Sequence, residues 1–129
     1  MKRLAVPANR PWEVVIGYSR AVRAGRHIEV SGTVSAAPNG NVLHPGDVAA
    51  QSREALRILG EALQELGASF ADVVRTRVFM ADPTRWEEVG QAHGEVFGEI
   101  RPATTFIGAG AFVDPGFLVE IEATAVVGE

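Results

Sequence analysis

The chain has no cysteine. That excludes disulfides, thiolate nucleophiles and zinc–sulfur sites. It has no run near the roughly eighteen apolar residues of a membrane span, so no membrane partner is expected. Lysine is scarce. All but one of the 12 basic residues are arginine, set against 16 acidic residues and a net charge of −4 at pH 7. A general grip on nucleic acid needs a concentrated positive surface, so no nucleic-acid partner is expected. The three histidines, His27, His44 and His93, are far apart in sequence, so no histidine-based metal site is expected. Neither a GxGxxG turn after a strand nor a Walker-type phosphate loop occurs, which leaves nucleotide binding without support. Ser31, in Val-Ser-Gly-Thr, is not a GxSxG nucleophile elbow. Residues 1–13 have no long apolar stretch and no secretory cleavage pattern, so cytoplasm is the expected location.

What is present begins with length and hydrophobicity. At 129 residues and 47% hydrophobic, residues 1–129 read as one domain with a real core. The most informative stretch is Leu118 to Val127. It alternates strictly, with Val119, Ile121, Ala123, Ala125 and Val127 on one face. Leu118, Glu120, Glu122, Thr124 and Val126 take the other. Two carboxylates thus stand side by side along one strand, on Cα atoms about 6.6 Å apart. Water, cations or a proton bound at raised pKa must answer them. Arg75, Arg77 and Arg101 are candidate cross-strand partners. A glutamate left without one in a cleft is a candidate general base.

In chain order, residues 1–13 read as a loosely ordered lead-in. Tyr18 to Ala24 reads as a strand, and Gly25 as a tight turn into Arg26 to Ser35. That second run places Ile28, Val30 and Gly32 on one face and His27, Glu29 and Ser31 on the other. Ala37 to Gly46 is a turn-rich loop. Asp47 caps a helix with Val48, Ser52, Ala55, Leu59, Ala62 and Leu66 as its apolar stripe, and Gly67 ends it. Val73 to Met80 is a strand with Val74, Thr76, Val78 and Met80 on one face. Asp82-Pro83 opens a second helix with Trp86, Val89, His93 and Phe97 inward. His93, on that apolar stripe, reads as a core or interface histidine. Gly90, Gly94 and Gly98 weaken this helix and permit close packing against it. Ala103 to Phe112 is a strand, and Asp114-Pro115-Gly116 a turn before the last strand. The expected fold is α+β, a mixed sheet with two helices on one face in the order ββαβαββ. The uncovered face, carrying residues such as Val30, Gly32, Val78 or Phe79, calls for self-association.

Several phrases in this order resemble the reactive-intermediate deaminase family, the RidA or YjgF-type proteins. They are Gly17-Tyr18-Ser19, Val30-Ser31-Gly32, Asp47-Val48, Val73 to Phe79, Asp82, Pro102-Ala103-Thr104-Thr105 and Val119 to Ala123. The likeness runs from about residue 13 to 127. It implies a chorismate-mutase-like fold and a homotrimeric barrel with clefts between subunits. It implies hydrolysis of reactive enamines and imines without metal or cofactor. It also implies site roles: Glu120 positions water, and Tyr18 and Gly32 line the substrate. Where the best-known members carry a carboxylate-binding arginine, this chain has Thr104. Gly90, His93 and Thr33 depart as well. The expected substrate therefore differs from the standard one, with Thr104 and Arg101 as further substrate-binding candidates. A metabolite-binding trimer without turnover is the alternative reading, and a ribonuclease the third.

Overall fold

The hairpin marked by Gly25 is the frame on which the site is built. Ala21–Ala24 (β2) and His27–Thr33 (β3) run antiparallel with Ala24 opposite His27. Gly25 sits at φ 63°, the left-handed conformation that this tight loop requires. The computed structural model describes residues 2–128; Met1 and Glu129 lie outside the described residues.

The lead-in is more ordered than its composition suggests. Arg3–Val6 (β1) pairs antiparallel with β2, and Glu13–Ile16 forms a short helix (α1). Only Val6 of β1 is buried, so an edge strand with exposed charge leaves no alternation to read. The Glu13 carboxylate accepts from the backbone N–H of Ala8 at 2.7 Å and of Asn9 at 3.1 Å, which ties the segment to α1.

Val48–Glu65 (α2) starts where Asp47 accepts from the N–H of Ala50 at 3.0 Å. Val73–Met80 (β4), Trp86–Phe97 (α3), Ala103–Gly108 (β5) and Val119–Val126 (β6) follow. The sheet order is β1-β2-β3-β6-β4-β5, with β4 and β5 parallel and the other pairs antiparallel. The last strand in sequence is therefore central in space. Helices α2 and α3 cover one face. Leu56, Leu59, Leu63, Val89 and Phe97 pack there on Ile28, Val30, Val78, Met80, Val119 and Ile121. The fold is α+β, with a strand and a short helix added ahead of the expected order.

Four further expectations need correction. Val30 and Val78 lie buried under the helices, at 3% and 0% exposure, and do not belong to the open face. That face instead carries a polar ladder. Thr124 donates to Glu29 at 2.7 Å, Arg77 to Glu122 at 3.3 Å and Arg75 to Thr105 at 3.3 Å. On β4, Val73 is buried and Val74 exposed, because a bulge between Val73 and Arg75 inserts one residue and turns Val74 outward. Trp86 is 56% exposed, since Pro83–Arg85 forms a separate 3₁₀ turn and α3 starts only at Trp86. Strand β5 stops at Gly108 rather than Phe112, where the run Gly108-Ala109-Gly110 offers little side chain to pack.

Candidate functional site

A second bulge builds the site. Between Val30 and Thr33, β3 advances three residues while β6 advances from Ala123 back to Ile121, so one residue of β3 is extra. This turns Gly32 away from Ile28 and Val30, where strict alternation puts it, and toward β6. A Cβ built on Gly32 would lie 2.6 Å from Oε1 and 2.8 Å from Cδ of Glu120. The glutamate side chain thus occupies the space a larger residue at 32 would fill.

Tyr18, Gly32 and Glu120 come together in one open cleft of ≈ 270 Å³, with Trp12, Ile16, Ser31 and Val113 completing its lining. Thr104 and Arg101 are not part of it in a single chain. Thr104 pairs with Thr76, two strands from β6 and three residues along it, about 14 Å from Glu120 on sheet spacings. Its hydroxyl is 2.8 Å from that of buried Thr76, which lies 2.9 Å from Nε2 of His93 beneath α3. Arg101 donates from Nε to the carbonyl of Gly98 at 2.8 Å, at the end of α3. His93 packs on Phe97 at 4.6 Å, and its burial holds the imidazole pKa below the usual range.

The two glutamates of β6 have different fates. Glu122 is ion-paired with Arg77 of β4 at 3.3 Å. Glu120 is half-buried, faces uncharged Phe79 on β4, and its carboxylate makes no hydrogen bond among the described residues. Burial pushes its pKa up, Glu122 pushes it further up, and Arg20 pulls it back. A carboxyl in that state can orient water, take a proton from it, or hand one back. Among the described residues no three His, Asp or Glu side chains converge as a metal site requires.

Arg20 has no role in the sequence reading beyond a place in a strand. It is 6% exposed, and its Nη1 donates to the Gly32 carbonyl at 3.2 Å and to Thr33 Oγ1 at 3.1 Å. The available signal is its position two residues after Tyr18, which sets both on one side of an extended segment.

Residues 8–127 match the model of the family described as endoribonuclease L-PSP. An uncharacterized protein of Streptomyces coelicolor is 38% identical over 124 residues, covering 95% of this chain and 91% of that protein. The 2-iminobutanoate/2-iminopropanoate deaminase of Rattus norvegicus is 34% identical over 126 residues, covering 98% of this chain and 91% of the rat protein. A solved structure from Mycobacterium tuberculosis, described as a member of the highly conserved YjgF/YER057c/UK114 family, is 46% identical. It superposes with a TM-score of 0.87 over 98% of this chain and 100% of that one. The matched span takes in both bulged strands and every cleft residue from Trp12 to Glu120, and the chain belongs to the endoribonuclease L-PSP family, the YjgF or RidA-type proteins.

Proposed function

We propose that the cleft hydrolyses a reactive imine or enamine, with Glu120 as the residue that positions and deprotonates water. The observation that carries this is a half-buried carboxylate with no hydrogen-bond partner among the described residues, laid over a residue without a side chain. Water oxygen adds to the imine carbon while Glu120 takes one water proton. The substrate reacts as the iminium, so its nitrogen becomes a neutral amine as the C–O bond forms. Glu120 returns the water proton to that nitrogen, and the C–N bond breaks to release ammonia. The hydroxyl proton passes through Glu120 to the ammonia as the carbonyl forms, so iminium and water give carbonyl and ammonium and no cofactor is consumed. An enamine enters the same route after protonation on carbon. The name of the rat relative, a deaminase of two 2-imino acids, agrees with this class of reaction. Thr104 in place of a guanidinium leads to a substrate other than those.

The functional unit in this reading is a homotrimer. Val14, Val15, Ile16 and Val113 are exposed around the cleft, at 89, 88, 60 and 62%, and Val74 and Val126 are exposed on the sheet. Covering them recovers roughly 25 cal/mol for each Å² of apolar surface. A neighbouring chain would close the cleft and is the only route by which Thr104 and Arg101 enter it. The test is to generate a panel of imines with a partner enzyme and follow carbonyl product and ammonia. Wild type should accelerate at least one, and Glu120→Ala none. A ligand that raises the melting temperature and is recovered unchanged would instead mark a metabolite-binding trimer. RNA cleaved by highly purified protein would move the function to the nuclease that the family's description names.

A further inference from the structure

We propose that Arg20 is the positioning residue of this cleft, clamping the Ser31–Gly32 bulge and standing as the buried cation behind Glu120. The proposal rests on the hydrolase reading for its meaning, but its geometry does not depend on turnover.

A guanidinium at 6% exposure is costly to desolvate. No carboxylate pairs with it among the described residues, and its Nε is buried without a hydrogen-bond partner among them. Its burial is therefore not repaid by an ion pair. The Tyr18 ring lies 6.0 Å from its central carbon, within cation–π range. Its backbone N–H donates to the Val6 carbonyl at 2.7 Å, and the hydrogen bonds of its Nη1 and of its carbonyl fall on the bulge. Nη1 reaches the Gly32 carbonyl and Thr33 Oγ1, and the Arg20 carbonyl accepts from the Ser31 N–H at 2.9 Å. Next to it, the Ser19 carbonyl accepts from the Ser31 hydroxyl at 2.6 Å. Thr33 Oγ1 in turn donates to the Ser31 carbonyl at 2.8 Å. A bulge holds one residue outside the ladder, and a strand that loses it slips by one residue and exchanges its faces. Residues 19 and 20 hold this one in place. The bulge in turn sets Gly32 under Glu120.

Charge supports the same assignment. Around Glu120, β6 contributes Glu122, itself paired with Arg77 of β4. The residues directly beside it, Gly32 of β3 and Phe79 of β4, are uncharged. His27 and Glu29 of β3 pair with each other further along the sheet. Ahead of β2 stand Tyr18 and Arg20, with Arg10 close to Arg20. Arg20 is the group whose charge favours the ionised form of Glu120. Without it, burial and Glu122 act unopposed, and a protonated Glu120 cannot accept a proton from water.

The test compares wild type with Arg20→Gln and Arg20→Lys. The first removes the charge and the second keeps it. The Glu120 carboxyl is titrated by carbon-13 NMR, assigned by its disappearance in Glu120→Gln, and thermal melts check folding. In Arg20→Gln the Glu120 midpoint should move to higher pH, for loss of an opposite charge. In Arg20→Lys it should stay near wild type. Where an imine substrate is found, the acid limb of kcat/KM should move with the midpoint, which a purely structural role would not cause. A folded Arg20→Gln with an unmoved midpoint overturns the proposal. If Arg20→Gln does not fold, Arg20→Lys decides: a wild-type midpoint supports the proposal and a displaced one overturns it. A protein inactive on every imine, yet showing the NMR shift, would sink the hydrolase reading and leave the role of Arg20 standing.

Discussion

Adding one methyl group at residue 32 separates folding from the proposed chemistry. In Gly32→Ala the new Cβ would meet Oε1 of Glu120 at 2.6 Å, Cδ at 2.8 Å and Cγ at 3.1 Å. An ordinary carbon–oxygen contact is about 3.3 Å or more, so the carboxylate must retreat by roughly 0.7 Å, and its stem must turn with it. Gly32 is not among the residues at positive φ, so alanine meets no backbone strain there. Alanine regains about 0.5–1 kcal/mol of strand preference over glycine, and a displaced rotamer costs about 0.5–1.5 kcal/mol. The two nearly cancel. The melting temperature should therefore move by a few degrees at most, on the order of 3–5 °C per kcal/mol for a domain of this size. Catalysis is less forgiving, since a displacement of about 1 Å can cost 10²-fold. The assay is kcat/KM for imine hydrolysis beside a thermal melt. Gly60→Ala is the control. There too a Cβ would come within 2.6 Å of a side chain, but of the Phe70 ring, packed edge-on against Phe97 at 5.5 Å. Overpacking costs about 1–3 kcal/mol, against about 1 kcal/mol gained in helix preference. Gly60→Ala should melt lower with unchanged activity per folded molecule. Full activity in Gly32→Ala would refute the claim that Glu120 works from where it sits.

Glu120→Gln should be more stable than wild type at neutral pH. The folded pKa of Glu120 is raised by burial, so its contribution is fully present below the ordinary glutamate range and lost as pH rises through the folded value. Urea melts should show the advantage of the variant at pH 7 and none in acid. His93 runs the other way, because burial depresses its pKa: neutral His93 supports the fold above the ordinary histidine range, and that support fades as pH falls. His93→Gln should flatten this loss of stability between about pH 7 and 5, read by melts across that range. Sedimentation at micromolar protein should give about three times the 13.7 kDa chain mass. A folded monomer would remove the shared cleft.

The elements that could be read from sequence are those with one dry face. In β6, Val119, Ile121, Ala123 and Ala125 are all at or below 2% exposure, as the alternation of that strand requires. The stripe of α2 and the cap at Asp47 are legible for the same reason, since local pattern and burial agree. The two bulges were not legible. An extra residue changes the side a chain faces without changing its composition, so Val74 and Gly32 carry no mark of the turn they take. Strand β1 was hidden because pairing at an edge needs backbone rather than hydrophobic side chains. Arg20 was hidden because burial of a charge is decided by what folds over it. Of the expected site, Tyr18, Gly32 and Glu120 converge, whereas Thr104 and Arg101 stand on the far side of β4.

The question of two carboxylates on one strand is answered by register. On the open face, Arg75, Arg77 and Phe79 of β4 stand opposite Thr124, Glu122 and Glu120 of β6. A shift of two residues keeps every side chain on its own face, so alternation alone permits it. In that shifted pairing Arg75 would face Glu122 and Arg77 would face Glu120, and both carboxylates would be neutralised on an ordinary polar sheet. The observed pairing gives one arginine to Glu122, leaves the other to Thr105, and puts a phenylalanine beside Glu120. The bulge of β3 then opens room over Gly32 on the opposite flank. One glutamate becomes a structural ion pair, and its neighbour two residues away becomes a partly dehydrated acid at the edge of a cleft. The difference between them lies in what β3 and β4 place beside each, not in β6 itself.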